Sequence, residues 1–207
     1  MDSRRMRGFS LIEMMIVVVI ILIVAAVSTI TLQPALREGR VTEAYNRTLT
    51  TLRRARDTSV AQRQVYFVTL ANGVLNNGVL VSNITLTQGS TGTVIESYFL
   101  PTDLSFDVEP GIPVSPTVAP TTPDGFGIGN LPIDFDQGVA GGAKNVIYFY
   151  PDGSAQDVNN NINNGVVYIA RTGEIRSSRA ITLWGATGRL RGWHLYPNGA
   201  AFYWRQQ

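Results

Sequence analysis

The stretch that most constrains this chain is residues 8–32. After Gly8-Phe9-Ser10-Leu11-Ile12-Glu13, residues 14–27 carry no polar side chain. Phe9 to Leu32 makes 24 residues, enough to cross a bilayer core of ~30 Å as a helix. Arg4, Arg5 and Arg7 precede it, and such a cluster stays cytoplasmic, placing the remainder of the chain outside. Glu13 is the one charge within the stretch. A lone carboxylate in an apolar span costs about 2.5–3.5 kcal/mol on insertion scales, so Glu13 is expected to have a partner.

Three interpretations compete. A cleaved secretory signal has a shorter apolar region and a small-residue cleavage site after it, and neither is present here. A plain signal anchor fits the length but leaves Glu13 unexplained. The block Arg7-Gly8-Phe9-Ser10-Leu11-Ile12-Glu13 resembles the class III signal of type IV prepilins and pseudopilins. That resemblance implies cleavage by a prepilin peptidase after Gly8, N-methylation of Phe9 and retention of the apolar helix. It also implies that Glu13 pairs with the N-terminal amine of a neighbouring subunit during filament assembly. Many pilins close a C-terminal loop with a disulfide; this chain has no cysteine, which also rules out thiol catalysis and cysteine-ligated metals.

Beyond residue 32 the chain is long enough for one globular domain with its own core. Pro34 interrupts the helical pattern and is expected to kink it. Val41, Tyr45, Leu49, Leu52, Ala55 and Val60 then recur at helical spacing, with Arg37, Arg40, Arg47, Arg54 and Arg63 mostly off that face. A helix from Phe9 to Gln64 would be ~84 Å long. From Val65 the pattern changes to strands and turns. Val65 to Leu70, Ile84 with Leu86, Thr93 to Leu100, Val146 to Tyr150, Val166 to Ala170, Ala180 to Trp184, Trp193 to Tyr196 and Ala201 to Trp204 read as strands. Asn72-Gly73 and Asn77-Gly78 read as turns. Seven prolines between residues 101 and 132 mark a long irregular excursion, expected as an exposed loop between strands.

The expected class is therefore α+β: a long N-terminal helix, half membrane-embedded and half amphipathic, packed on an antiparallel sheet or sandwich. The expected segments are a basic leader (1–8), a membrane or filament-core helix (9–32), an amphipathic helix (33–64) and an exterior β-rich domain (65–207).

Net charge is only +2, but unevenly spread. Residues 35–64 carry seven arginines against three acids, residues 65–170 nine acids against Lys144, and residues 171–207 six arginines against Glu174. Solvated faces of one domain are the default account; complementary faces between stacked subunits, or a basic face for a polyanion, are the sharper ones.

Catalytic signals are weak. His194 is the only histidine, and no nucleophile with an orienting carboxylate lies near it in sequence. Asp157-Val158-Asn159-Asn160-Asn161 starts like a calcium loop but has Ile162 and Tyr168 where glycine and an acid belong. Asp134 and Asp136 share a strand face, which alone is little support for acid–base work. Gly125-Phe126-Gly127-Ile128-Gly129 lacks the spacing of a nucleotide loop. The expectation is a non-enzymatic protein with no cofactor and no metal.

The Pro-Asp-Gly-Ser turn at residues 151–154 and Gly188-Arg189-Leu190-Arg191 after a late strand look like the GspH/FimT family. That family comprises minor pseudopilins of type II secretion and minor pilins of type IV pili. The resemblance implies a minor pseudopilin of a type II secretion pseudopilus, in the bacterial inner membrane with a periplasmic β-domain. The alternative it implies is a FimT-like minor pilin acting in pilus assembly or DNA uptake. Some FimT-like pilins bind DNA through Gly-Arg-x-Arg, so Gly188, Arg189 and Arg191 become candidate DNA contacts, with Trp193 a stacking surface. The partners implied are the prepilin peptidase, other pilin or pseudopilin subunits, the inner membrane and DNA.

Overall fold

The computed structural model describes residues 9–115, 119–127, 131–137, 145–199 and 201–207. The leader, including Gly8 and its arginines, lies outside the described residues, as do Pro116, Gly129 and Lys144. The chain divides into two compact units, Met1–Gly39 and Arg40–Gln207.

A single helix, α1 (Leu11–Gln62), continues through Pro34. In the first unit its side chains at residues 11–28 and 32–39 are exposed, although the stretch is apolar enough to cross a membrane. Such a face is stable only against lipid or other helices.

In the second unit α1 buries Val41, Ala44, Tyr45, Leu49, Leu52 and Ala55, a single face at helical spacing. The inner position in the last turns belongs to Ser59, whose hydroxyl donates to the Tyr150 carbonyl at 3.0 Å; Val60, expected inside, is exposed. The helix ends without glycine: Arg63 takes a left-handed φ of 53°, and the Gln64 amide donates to the Ser59 carbonyl at 3.2 Å, a Schellman closure.

Ten strands follow. They are β1 (Tyr66–Asn76), β2 (Val79–Gln88), β3 (Val94–Phe99), β4 (Ile133–Gln137), β5 (Val146–Phe149), β6 (Ala155–Gln156), β7 (Asn164–Arg171), β8 (Glu174–Trp184), β9 (Arg189–Asn198) and β10 (Ala201–Gln206). They form two antiparallel sheets, ordered β3-β2-β1-β5-β6 and β10-β9-β8-β7-β4. Asn77-Gly78 makes the β1–β2 turn, both residues at positive φ. Asn72-Gly73, expected as a second turn, instead sits inside β1 where the register slips between Ala71 and Val74. A Gly-containing bulge absorbs the extra residue there without reversing the chain.

One core joins the buried face of α1 to both sheets, with Val68, Leu70, Ile84, Leu86, Ile147 and Phe149 from the first and Val167, Ile169, Ile181 and Leu183 from the second. A second core lies on the other face of the second sheet, where Ile112 and Phe126 meet Val166, Tyr168, Ala180, Leu195 and Trp204. The described part of the Pro-rich segment is thus not an exposed loop. Its described residues bury Leu104, Phe106, Ile112 and Phe126, and the Trp204 indole N–H donates to the Pro113 carbonyl at 3.2 Å. Strands β7 and β8 are buried on both faces, and Ile112 and Phe126 of the segment cover the face that α1 does not reach, while Leu104 and Phe106 join the core on the α1 side.

Candidate functional site

At the N-terminal site Phe9 is described and exposed, and Glu13 lies in the first turn of α1. The Ser10 amide donates to a Glu13 carboxylate oxygen, and the Glu13 amide donates to the Ser10 hydroxyl, both at 3.4 Å. This is the reciprocal capping box of Ser-x-x-Glu, and the spacing Ser10 to Glu13 announces it in the sequence. Glu13 therefore satisfies an end of its own helix while its carboxylate remains exposed for a cation. Near a helix N-terminus that negative charge is also favoured by the dipole.

The C-terminal arginines separate into different roles. Arg191 on β9 ion-pairs with Asp124, from the turn Pro123–Gly125 of the Pro-rich segment. The other Asp124 oxygen accepts from the Thr182 hydroxyl at 2.5 Å and the Trp184 indole at 3.1 Å, and the Arg191 guanidinium lies 5.8 Å from the Trp184 ring centre. Arg179 is buried and donates to the carbonyls of Arg176, Ser177 and Ser178. Arg171 bridges Asp103 at 2.9 Å and Glu174 at 2.6 Å. Burial lowers the Arg171 pKa, but its hydrogen bonds to Glu174 and Asp103 outweigh that and raise it. Arg189 alone of the Gly-Arg-x-Arg pair is exposed. Gly188 is buried at φ 59°, and a Cβ there would sit 2.2 Å from the Gly153 carbonyl oxygen and 2.8 Å from the Arg56 side chain. Trp193 packs beside the second core and donates to Thr182 at 3.0 Å, so it offers no free stacking platform. Arg171, Arg179 and Arg191 of the expected stripe are thus structural, and the acids Asp103 and Asp124 that help hold Arg171 and Arg191 come from segments distant in sequence.

Asp157 is also turned inward. Its carboxylate accepts the amides of Asn159 (2.8 Å) and Asn161 (2.9 Å) and the Asn161 side chain (3.1 Å). Burial pushes its carboxyl up, but the hydrogen bonds from Asn161 and Asn159 together hold it below the ordinary value. Oxygens committed to N–H donors are poorly placed for calcium, and no group of three or more metal-ligating side chains occurs among the described residues. Asp134 is fully buried on β4. His194 stacks on Tyr196 at 4.6 Å and its Nδ1 lies 3.2 Å from the Gln207 amide.

A model of the prokaryotic N-terminal methylation motif matches residues 3–29. No curated protein matches the chain, and no solved structure does. The motif implies processing by a peptidase and assembly with other pilin subunits, and with the apolar helix it fits inner-membrane anchoring. The chain carries the prepilin methylation motif, and its long N-terminal helix and β-sheet domain fit a type IV pilin-like fold.

Proposed function

We propose that the chain is a structural, non-enzymatic subunit of a type II secretion pseudopilus, a minor pseudopilin of the GspH/FimT kind. The observation that carries it is the methylation motif over residues 3–29, joined to a helix whose first turn presents Glu13. In this account the peptidase cuts after Gly8 and methylates Phe9, which leaves the new amine charged. The helix holds the subunit in the inner membrane, with its N-terminus cytoplasmic and the β-domain in the periplasm. On assembly Glu13 meets the amine of Phe9 from a neighbour, the partner that a carboxylate in an apolar environment requires. The secretion role is favoured over DNA uptake because Arg191 is held by Asp124, which leaves Arg189 as the exposed member of the motif.

The test compares Glu13→Val and Glu13→Gln in the producing cell, with intact mass of the extracted protein. Processing should leave a chain starting at methylated Phe9. Both variants should insert in the membrane, and both should lose recovery in filaments and secretion of the exported proteins. Gln keeps the capping box but not the charge, so wild-type behaviour of Glu13→Gln would assign the residue to the helix cap instead. Intact secretion with lost DNA uptake in a deletion strain would favour the minor-pilin alternative.

A further inference from the structure

No charged side chain occurs between Arg63 and Glu96, the longest uncharged stretch in the chain. It includes the β1–β2 hairpin, whose tip is apolar and open. Leu75 and Leu80 are direct cross-strand partners, so their side chains share one face. They are 68% and 66% exposed, and Val79 is exposed as well. The tip stands clear of the rest of its unit. Asn72 is tied to the unit through the Phe106 amide (3.2 Å) and carbonyl (2.8 Å), and the Ser82 carbonyl accepts from the Leu100 amide at 2.8 Å. Asn77 lies five residues past Asn72, about 15 Å along the strand. Strand β2 pairs with β3 only from Asn83 onward, so residues 79–82 form a free edge. Such edges ordinarily carry lysine or proline, and this one carries neither.

This tip lies at the end of the second unit where the chain enters it. Strand β1 starts beside the end of α1, where the Tyr66 hydroxyl donates to Gln62 at 2.5 Å, and it runs back as far as Phe106. Close by in sequence, Asp103 pairs at 3.4 Å with Arg40, the first residue of the unit. Strand β9 runs the same way. Arg189 at its start lines a groove with Arg53 and Arg56, and further on the Gly192 backbone lies against the Tyr45 hydroxyl. The β9–β10 turn is therefore at the entry end too, with the rings of Tyr196 and Tyr203 6.1 Å apart beside it. The charges at this end are largely paired, Asp103 with Arg40 and Arg171, and Arg171 with Glu174, while Arg176 is exposed.

We propose that the β1–β2 tip is a lipid-binding element: while the chain is held in the membrane, Leu75, Val79 and Leu80 dip into the headgroup layer of the same bilayer. This rests on the membrane-anchor reading given above. From Leu32 to Arg40 is eight residues, ~12 Å of helix. That short tether keeps the entry end close to the bilayer surface, and a tip that reaches about 15 Å closes the gap. Tyrosines such as Tyr196 and Tyr203 suit the headgroup level, and Arg176 suits anionic headgroups. A folded protein is the poorer occupant, because three side chains fall far short of the roughly 800 Å² per partner of a stable interface. The lipid contact needs little affinity of its own, since the helix already holds the tip at the surface.

Fluorescence of the full chain in vesicles of phosphatidylethanolamine and phosphatidylglycerol tests the proposal. The chain has no cysteine, so Asn77→Cys takes a single environment-sensitive label at the tip. Ser90→Cys takes one in the exposed turn at the other end of β2, about 30 Å away. The label at residue 77 should emit at shorter wavelength and be quenched about twofold or more by a nitroxide near the top of the lipid acyl chains. The label at residue 90 should show neither effect. Adding Leu75→Ser and Leu80→Ser to Asn77→Cys should abolish the quenching. Both leucines are mostly exposed, so the fold should persist, with an unchanged melting curve as the check; the comparison of the two labels stands without these variants. Three results would each overturn the hairpin contact and leave the anchor standing. They are equal quenching at residues 77 and 90, no quenching at residue 77 in a chain that alkaline carbonate leaves in the membrane, and quenching that survives the two serines. Release of the chain by carbonate would take down the anchor reading, and this proposal with it.

Discussion

The Arg191 guanidinium lies 2.5 Å from the Asp124 carboxylate, whose side chain is only 5% exposed. The pair fastens the Pro-rich segment to the outer face of β8 and β9, with Thr182 and Trp184 completing the carboxylate's hydrogen bonds. Removing one partner strands the other charge in a poorly hydrated place. Arg191→Ala should cost about 3 kcal/mol of stability, while Arg189→Ala, at an exposed site without an ion pair among the described residues, should stay within about 0.5 kcal/mol. Urea unfolding of the two variants measures the difference. Equal effects would mean that Arg191 does not hold the segment.

Trp204 should hold the same segment nearer its start, at Pro113. It stacks on Tyr168 at 5.7 Å and reaches Pro113 through its indole N–H. Truncating a buried tryptophan costs about 3–5 kcal/mol. Trp204→Ala should therefore lower the melting temperature and make residues 101–115 the first site of limited proteolysis. Cleavage elsewhere first would place the weak point outside this core.

The sequence signals that succeeded are local. The unbroken apolar run marks the first half of α1, the three-and-four spacing from Val41 to Ala55 marks its buried face, and Asn77-Gly78 marks a hairpin. The signals that misled depend on distant partners. Asn72-Gly73 has turn chemistry, yet β1 continues through it because Val79 to Val81 is already paired across from residues 74–76. Seven prolines suggested solvent exposure, but Phe126 and Ile112 find an apolar sheet face formed by residues 166–204. Gly188 and Arg191 match a ligand motif, but their environment is set by Gly153, Arg56 and Asp124, none of which spacing could associate with them. The Ser10–Glu13 cap was missed, although the Ser-x-x-Glu spacing that forms it is a local signal.

Acid should weaken the 157–161 turn. The Asp157 carboxyl is held below its ordinary value in the fold by the net of its hydrogen bonds, and Asp152 likewise, chiefly by the Ser154 hydroxyl. A folded pKa below the unfolded one contributes stability that is fully present above the unfolded value, about 3.9, and is lost as pH falls through the folded value. Asp157→Asn still accepts the backbone amides but no longer titrates. It should lower stability at pH 7 by what the ionised carboxylate contributes, because an amide nitrogen in place of Oδ2 cannot accept from the Asn161 side chain, and it should flatten the loss below about pH 4, read from denaturation midpoints over a pH series. A steeper acid limb in Asp157→Asn would contradict the assignment.

Gly188 and Gly199 separate backbone strain from close packing. Both have positive φ, 59° and 62°. A Cβ at Gly199 meets nothing within 4 Å, whereas at Gly188 it would collide with the Gly153 carbonyl and the Arg56 side chain. Gly199→Ala should therefore cost only the left-handed penalty, about 1–2 kcal/mol. Gly188→Ala adds overpacking of about 1–3 kcal/mol, because the carbonyl belongs to a tight turn and cannot swing aside. Arg56 can move, but only by giving up its hydrogen bond to Thr187. Gly188→Ala should thus be the more destabilised by about 1–3 kcal/mol in urea unfolding. Equal losses at the two positions would show that the β8–β9 turn does not rest on the Gly153 turn and α1 as closely as the 2.2 Å and 2.8 Å approaches require.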